Sequence, residues 1–414
     1  MVVNTDVRMK GFHKKVPVDK ALKILLQNTG VLETEKVQIA NTLGRFLSED
    51  LVASQDIPPF TRAAMDGYAL KGENTFGASQ INPIYFKLIG NIPTGKVSRI
   101  NIHEFEAARI MTGAPLPHGA NAVVMFEHGK EFKDEIEVFK AVSPGKHASL
   151  KGEDVEKGEF ILKKGHKIQP QDIAIMAAMG ISNISVFRQP CVSIIATGDE
   201  LKEPGMGLNE AEIYDANSYS LHALVERTGG IPKICGIISD NYKELVKAVK
   251  KALKSDIIII SGATSVGEKD YVPKVISDLG AILVHGVAMR PGKPTGFGVV
   301  ENKLVIMVPG YPVAAIFSFQ IFIRHVLEKM QGCHTPMEGY VIKGKLKRKI
   351  PSQIGRRDYV RVVVDLKHKV PLIDPIRTGG SGIITSIIRA NGFIIVPENT
   401  EGLRQGKIVE VNIF

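Results

Sequence analysis

The sequence predicts a multidomain α/β protein: a central α/β domain on a parallel sheet, a β-rich second domain, a mixed linking domain and a small C-terminal β domain. Three observations predict it. From residue 190, apolar runs of strand length alternate with helical segments, which implies a parallel sheet with right-handed crossovers. Residues 80 to 148 alternate short β-rich runs with Gly and Pro. From about residue 338, short β runs return between Gly and Pro. The boundaries that follow are 1–50 with 150–185 for the linking domain, 51–149 for the β-rich domain, 186–335 for the central domain and 336–414 for the C-terminal domain.

Taken in order, residues 16 to 50 carry apolar residues at helical spacing, with Asp19 as a candidate cap and Gly30 as a stop. A Pro-rich turn, DIPPFTRAAMDGYAL, follows. PIYFKLIG, EAARIMTGAPLP, NAVVMFEH and EIEVFKAV read as strands of the β-rich module. QPQDIAIMAAMGI reads as a helix from Pro170 to Gly180. Then CVSIIATG, KICGIIS, DIIIISG and AILVHGVAM read as strands. SYSLHALVERTGG, NYKELVKAVKKALKS and YVPKVISDLG read as the helices between them. The strands are continuous apolar runs, as expected where both sheet faces are covered. In the tail, KGKLKRKI, DYVRVVVDL, GFIIVPE and KIVEVNIF read as strands.

Composition narrows the function. The 414 residues correspond to about three domains of roughly 150 residues. Hydrophobic residues make up 44% and charged residues 23%, which excludes wholesale disorder. The net charge of +10 allows an acidic partner, but the basic residues are scattered. The densest runs, Lys343 to Lys349 and Lys247 to Lys254, are short, and the latter reads as the wet face of a helix. Trp is absent and aromatics are 6%, so nucleic-acid stacking is poorly supplied and no nucleic acid is expected. Cys191, Cys235 and Cys333 are far apart and form no zinc-type cluster; inert thiols in a reducing cytoplasm are expected. The N-terminus has no signal-peptide core. Leu304 to Ile323 is uncharged and about 20 residues long, enough to span a bilayer. Pro309, Gly310 and Pro312 break it, however, so a strand, a turn and a buried helix are expected, with no membrane.

Ligands of an open parallel α/β sheet bind beyond the carboxyl ends of its strands. The candidates there are Thr197, Gly198, Asp199 and Glu200 after the first strand, and Asp240 after the second. SGATSVGEKDY follows the third strand, with Ser265, Gly267, Glu268 and Asp270. Arg290, Gly292 and Lys293 follow the fourth, and VPGYPVAA the next. A glycine-containing loop before a helix offers N–H groups to an anion. Carboxylates on the same rim suit a hard cation such as Mg²⁺, bound with substrate phosphate oxygens. Arg290 and Lys293 supply positive charge for a phosphate or an oxyanion. Asp199, Asp240 and Asp270 have an alternative reading as caps or turn residues. Asp66 in AMDGYAL, Thr112 in IMTGAPLP and Asp154 in GED read either as turn residues or as site residues. There is no nucleophile elbow, and the 11 histidines are scattered. His285 reads as a strand residue.

Together these segments resemble the MoeA family of molybdopterin molybdenumtransferases. The resemblance rests on PPFTRAAMDGYAL (58–70), MTGAPLPHGANAVV (111–124), GED (152–154), ATGDEL (196–201), YDANSYSL (214–221), SGATSVGEKDY (261–271), MRPGKPTGFG (289–298) and VPGYPVAA (308–315). They stand in the family's order and span the chain. The resemblance implies an elongated four-domain homodimer. It implies a Mg²⁺-dependent reaction in which adenylylated molybdopterin is cleaved, AMP leaves and molybdate, or tungstate, is inserted. It implies roles for Asp66, Thr112, Asp154, Glu200, Asp240 and Asp270 in catalysis, with Glu200, Asp240 and Asp270 holding the metal. Gly198, Asp199, Ser265, Gly267, Arg290, Lys293, Pro309 and Pro312 would contact substrate, and Arg361 and Ser381 the oxyanion. Asp66 and Thr112 would reach the rim of a second copy.

Four departures stand out. Arg62 and Ala63 replace the common Asn-Ser, Ala263 replaces a loop glycine, Arg290 opens a motif that usually begins with Lys, and Tyr311 turns PGNP into PGYP. None removes a carboxylate from the rim. The competing readings are a molybdopterin adenylyltransferase, one step earlier, and a non-catalytic molybdopterin-binding scaffold. Docking of a separate molybdopterin adenylyltransferase stays open.

Overall fold

The structure is a computed structural model. It describes residues 15–262, 271–333, 339–376, 380 and 382–414. The labels below number the central domain alone.

The central sheet contains β1 (Cys191–Thr197), β2 (Ile231–Ile238), β3 (Ile257–Gly262), β4 (Gly280–His285), β5 (Gly296–Val300) and β6 (Lys303–Pro309). Their spatial order is β2-β1-β3-β6-β5-β4. The connecting helices are α1 (Asn217–Arg227), α2 (Tyr242–Ala252), α3 (Val272–Leu279) and α4 (Pro312–Ser318). Ile194, Ile259 and Ile306 face a core with Leu221 of α1 and Phe317 of α4. Ile195, Ile258 and Ile260 face the other, with Leu245 of α2 and Val275 of α3. Both faces are thus covered, which is why these strands read as unbroken apolar runs.

The sheet is mixed rather than wholly parallel. β5 runs antiparallel to β6 and β4, while the other strands share one direction. The cause is a tight turn: Glu301 and Asn302 both have positive φ, 47° and 62°, the geometry of a two-residue hairpin loop. The strand expected over AILVHGVAM ends at His285. Met289–Arg290 instead pairs with Arg357–Asp358 of the C-terminal domain.

The helical reading of residues 16 to 50 holds only for Val18–Gln27. Thr34–Gln38 is a strand, antiparallel to Asn183–Phe187. Pro17, not Asp19, is the helix cap, and the chain leaves the helix at Asn28 before Gly30. Val18, Ala21 and Leu25 pack into the central core, so this helix shares no core with the rest of the expected linking domain. That core is built from Leu47, Ile168, Met176 and Val186. Pro170–Ala178 is helical and opens on a capping box between Gln169 and Asp172.

The β-rich module is a six-stranded sheet ordered 122–125, 67–70, 106–110, 84–92, 135–138, 129–132. The C-terminal domain closes on itself, because Arg357–Asp365 pairs with both Leu372–Pro375 and Gly392–Val396. The strand at Leu372 was not expected from the sequence. This barrel is fixed to the central domain by an aromatic cluster. Phe317 of α4 lies 5.7 Å from Tyr359 and 5.3 Å from Phe393, centroid to centroid. Such pairs contribute about 0.5–1.5 kcal/mol each beyond area burial. An ion-pair network adds to it: Arg357 donates to Asp19 at 2.8 and 2.7 Å and to Glu398 at 3.1 Å.

Candidate functional site

Three strand ends meet at the switch point between β1 and β3, where ligands of such sheets bind. Glycines make the approach possible. A Cβ on Gly262 would lie 2.0 Å from the Thr197 carbonyl oxygen, and Gly262 has φ +115°. A Cβ on Gly198 would lie 2.6 Å from Glu200 Oε2, so the Glu200 carboxylate folds back over its own strand end.

The acidic rim is stitched together here. The Thr197 hydroxyl donates to Asp240 Oδ1 at 2.7 Å, and the Asp240 amide donates to Asp199 Oδ1 at 3.1 Å. The cap of α2 is Asn241, whose side chain accepts from the amides of Lys243 and Glu244. Asp240 is therefore not the cap, and its carboxylate is left for the rim. Asp199 serves the turn geometry. Asn217 Nδ2 donates to Ser261 Oγ and to the Gly310 carbonyl, both at 2.8 Å, and so ties α1 to the ends of β3 and β6.

Thr197, Asp199, Glu200 and Asp240 offer only oxygen atoms, the donor type for Mg²⁺. Among the described residues, no three His, Cys, Asp or Glu side chains converge closely enough to hold a metal alone. A donor set completed by substrate phosphate oxygens fits that arrangement. Asp270, Ser265 and Gly267 lie outside the described residues, as does Ser381.

A second locus lies between the central domain and the barrel. It is a cleft of about 1060 Å³, lined among the described residues by seven cations and one carboxylate. The cations are Lys15, Arg290, Lys293, Arg348, Lys349, Arg356 and Arg361; the carboxylate is Asp358. They are not equivalent. Arg348 is paired with Asp374, and Arg356 with Asp358 at 2.9 Å. Arg361 is only 5% exposed, and its Nε has no hydrogen-bond partner. Burial pulls the Arg361 pKa down, and the nearby Arg290 charge pulls it further. A buried guanidinium facing another cation calls for an anion. Pro309 lines the same cleft, and Pro312 opens α4 beside it. Tyr359, in the same wall, has its phenol pushed up to about 12 by burial.

The barrel side of this cleft was not foreseen. Arg348 and Lys349 belong to the short basic run 343–349, which reads as part of a strand with no site role, and nothing local marks Arg356 or Asp358.

The remaining candidates lie in the β-rich and linking segments. Asp66 and Thr112 come together: Asp66 Oδ1 accepts from the Thr112 amide at 2.7 Å and from its hydroxyl at 2.8 Å. These bonds hold the exposed Asp66 carboxyl below its ordinary value. Asp154 is exposed; its amide donates to the Ile57 carbonyl, and its carboxylate has no hydrogen bond among the described residues. Among the described residues, no hydrogen bond or ion pair joins Asp66, Thr112 or Asp154 to the acidic rim. Cys191, Cys235 and Cys333 form no disulfide among the described residues and are half-buried. Among the described residues, no helix is long and apolar enough to cross a membrane.

Comparison with known proteins bears on both loci. Residues 16–180 match the MoeA N-terminal region (domain I and II), residues 193–329 a "Probable molybdopterin binding domain", and residues 343–414 the MoeA C-terminal region (domain IV). A relative from Methanocaldococcus jannaschii is 41% identical over 410 residues, covering 97% of this chain and 96% of its own. The molybdopterin molybdenumtransferase of Bacillus subtilis is 34% identical over 402 residues, covering 96% and 93%. A solved molybdopterin biosynthesis MoeA structure from Pyrococcus horikoshii has a TM-score of 0.83 at 36% identity, covering 97% of this chain and 100% of that one. The strand ends that gather Thr197 and Asp240, and the basic cleft beside them, are thus set in a chain that belongs to the MoeA family.

Proposed function

We propose that this chain is a molybdopterin molybdenumtransferase of molybdenum cofactor biosynthesis. It takes adenylylated molybdopterin and molybdate, or tungstate, inserts the metal into the dithiolene and releases AMP. One observation carries the reading: Arg361, buried and unpaired at Nε, shares a cleft with Arg290 beside an oxygen-rich strand rim. Two anionic reactants need two such loci.

Arg361, Arg290 and Lys293 bind the oxyanion. Glu200, Asp240 and Asp270 would hold Mg²⁺, which supplies charge neutralisation at the phosphoanhydride. Thr197 orients Asp240 through its hydroxyl. Water attacks the adenylate phosphorus, the bond to the bridging oxygen breaks, the molybdopterin phosphate leaves with that oxygen and a proton, and AMP keeps the water oxygen; an attacking oxyanion oxygen instead gives an adenylyl–oxyanion anhydride, which water then cleaves to AMP and the oxyanion. Asp66 and Thr112 are exposed and bonded to each other rather than to their own rim, which suits delivery to a second copy in a homodimer. Cysteines without disulfides suit a reducing cytoplasm.

The test is AMP release from adenylylated molybdopterin with Mg²⁺, with and without molybdate or tungstate. Oxyanion-stimulated release is expected. Pyrophosphate formed from ATP and free molybdopterin would move the protein one step upstream, and neither activity would leave a binding scaffold.

A further inference from the structure

Tyr311 lines the cleft, one residue beyond Gly310, which packs on the end of β3. Its position in the chain is fixed from behind: Asn217 Nδ2 holds the Gly310 carbonyl at 2.8 Å, and a Cβ on Gly310 would lie 3.4 Å from the Gly262 Cα. Pro312 at the first turn of α4 restrains the chain immediately after it. The Tyr311 side chain nevertheless stays 63% exposed and lines the basic cleft. Its ring is backed by glycine. A Cβ on Gly382 of the barrel would lie 3.4 and 3.5 Å from two ring carbons, ordinary contact distance. A large aromatic ring held on a rigid turn, exposed at the mouth of a cationic cleft, is the arrangement that binds flat heterocycles carrying negative charge.

We infer that Tyr311 is a stacking platform for the planar pterin ring of the substrate. It determines affinity for the organic substrate while Arg290 and Arg361 determine affinity for the oxyanion. The inference rests on the transferase reading above. The alternative for an exposed tyrosine is a surface ring without a ligand, and the two differ in what substitution does. Loss of one aromatic stack costs about tenfold in affinity.

The experiment measures molybdopterin binding by equilibrium dialysis without oxyanion, and KM and kcat for adenylylated molybdopterin in AMP release. Tyr311→Leu, which keeps bulk but not the ring face, is expected to weaken binding and raise KM about tenfold, with kcat nearly unchanged. Tyr311→Phe is expected to recover most of the loss. The molybdate concentration for half-maximal stimulation should not move in Tyr311→Leu. Wild-type affinity in Tyr311→Leu would overturn the platform, as would a shift in molybdate half-saturation alone. Failure of the wild-type protein to bind molybdopterin would instead overturn the transferase reading and the platform with it. A circular-dichroism melt of each variant separates lost binding from lost folding.

Discussion

The Arg361 guanidinium, on a barrel strand, loses proton affinity to burial and then to the charge of Arg290, which stands on the short strand Met289–Arg290 that pairs into the barrel sheet. Neither domain alone brings these two charges together. Arg361→Met should raise the molybdate concentration for half-maximal AMP release at least tenfold, since a charge-assisted hydrogen bond contributes about 1.5–3 kcal/mol. Without oxyanion the same variant should melt no lower than wild type, because a buried charge facing a like charge is removed. Molybdate should raise the wild-type melting temperature and leave that of the variant unmoved. Equal molybdate shifts in both would remove Arg361 from the oxyanion site.

The Thr197–Asp240 bond separates a metal role from a helix-cap role. Thr197→Val should raise the Mg²⁺ requirement of AMP release about tenfold, the effect of losing an outer-shell partner. Asn241→Ala, which removes the cap of α2, should cost about 1 kcal/mol of stability with no change in Mg²⁺ dependence. The reverse pattern, measured by titrating Mg²⁺ and by urea melts, would return Asp240 to a structural part.

Asp66 supplies a test of subunit sharing. Asp66→Ala and Asp240→Ala should each be nearly inactive. Mixed and reassembled, they should recover about a quarter of wild-type activity, because half the dimers are mixed and each then has one intact site. No recovery, with mixed dimers verified by differential tags, would place both residues in one chain's site.

The Asp19–Arg357–Glu398 network closes the junction that forms the cleft. Hydrogen bonds from Arg357 hold both carboxyls below their ordinary values. Their folded pKa values are depressed, so their contribution is present above the unfolded values, near pH 4, and is lost as pH falls through the folded ones. Stability from this source should be flat from pH 7 to about pH 5 and fall below about pH 4. Asp19 is mostly exposed, so Asp19→Asn should cost only about 0.2–1 kcal/mol, read as a shift in the urea midpoint at pH 7. A midpoint that keeps its full acid dependence in Asp19→Asn and Glu398→Gln would assign the dependence elsewhere.

Much of this site was legible in the sequence, and for a physical reason. The strand–helix alternation from Cys191 to Pro309 fixes which loops stand at the carboxyl ends of the strands, so Glu200, Asp240, Arg290 and Lys293 could be named together. The hairpin at Glu301–Asn302 was missed because its two residues are neither Gly nor an Asn-Gly pair, although both adopt positive φ. Thr34–Gln38 was misread as helical because a short edge segment pairs with residues about 150 positions away, which no local period reports.

The sequence by itself determined the alternating elements, the apolar strands that need cover on both faces, and the acidic and glycine-rich rim, because these follow from local periodicity and chain order. Only the tertiary structure decided that Arg348, Lys349 and Arg356 face a cleft rather than open solvent, that Arg361 is buried against Arg290, and that Asp240 is held by Thr197 rather than spent on a helix cap. Those facts depend on docking a closed barrel against the central sheet through Phe317, Tyr359 and Phe393, and the packing of side chains distant in the chain leaves no repeating signal in the residues themselves.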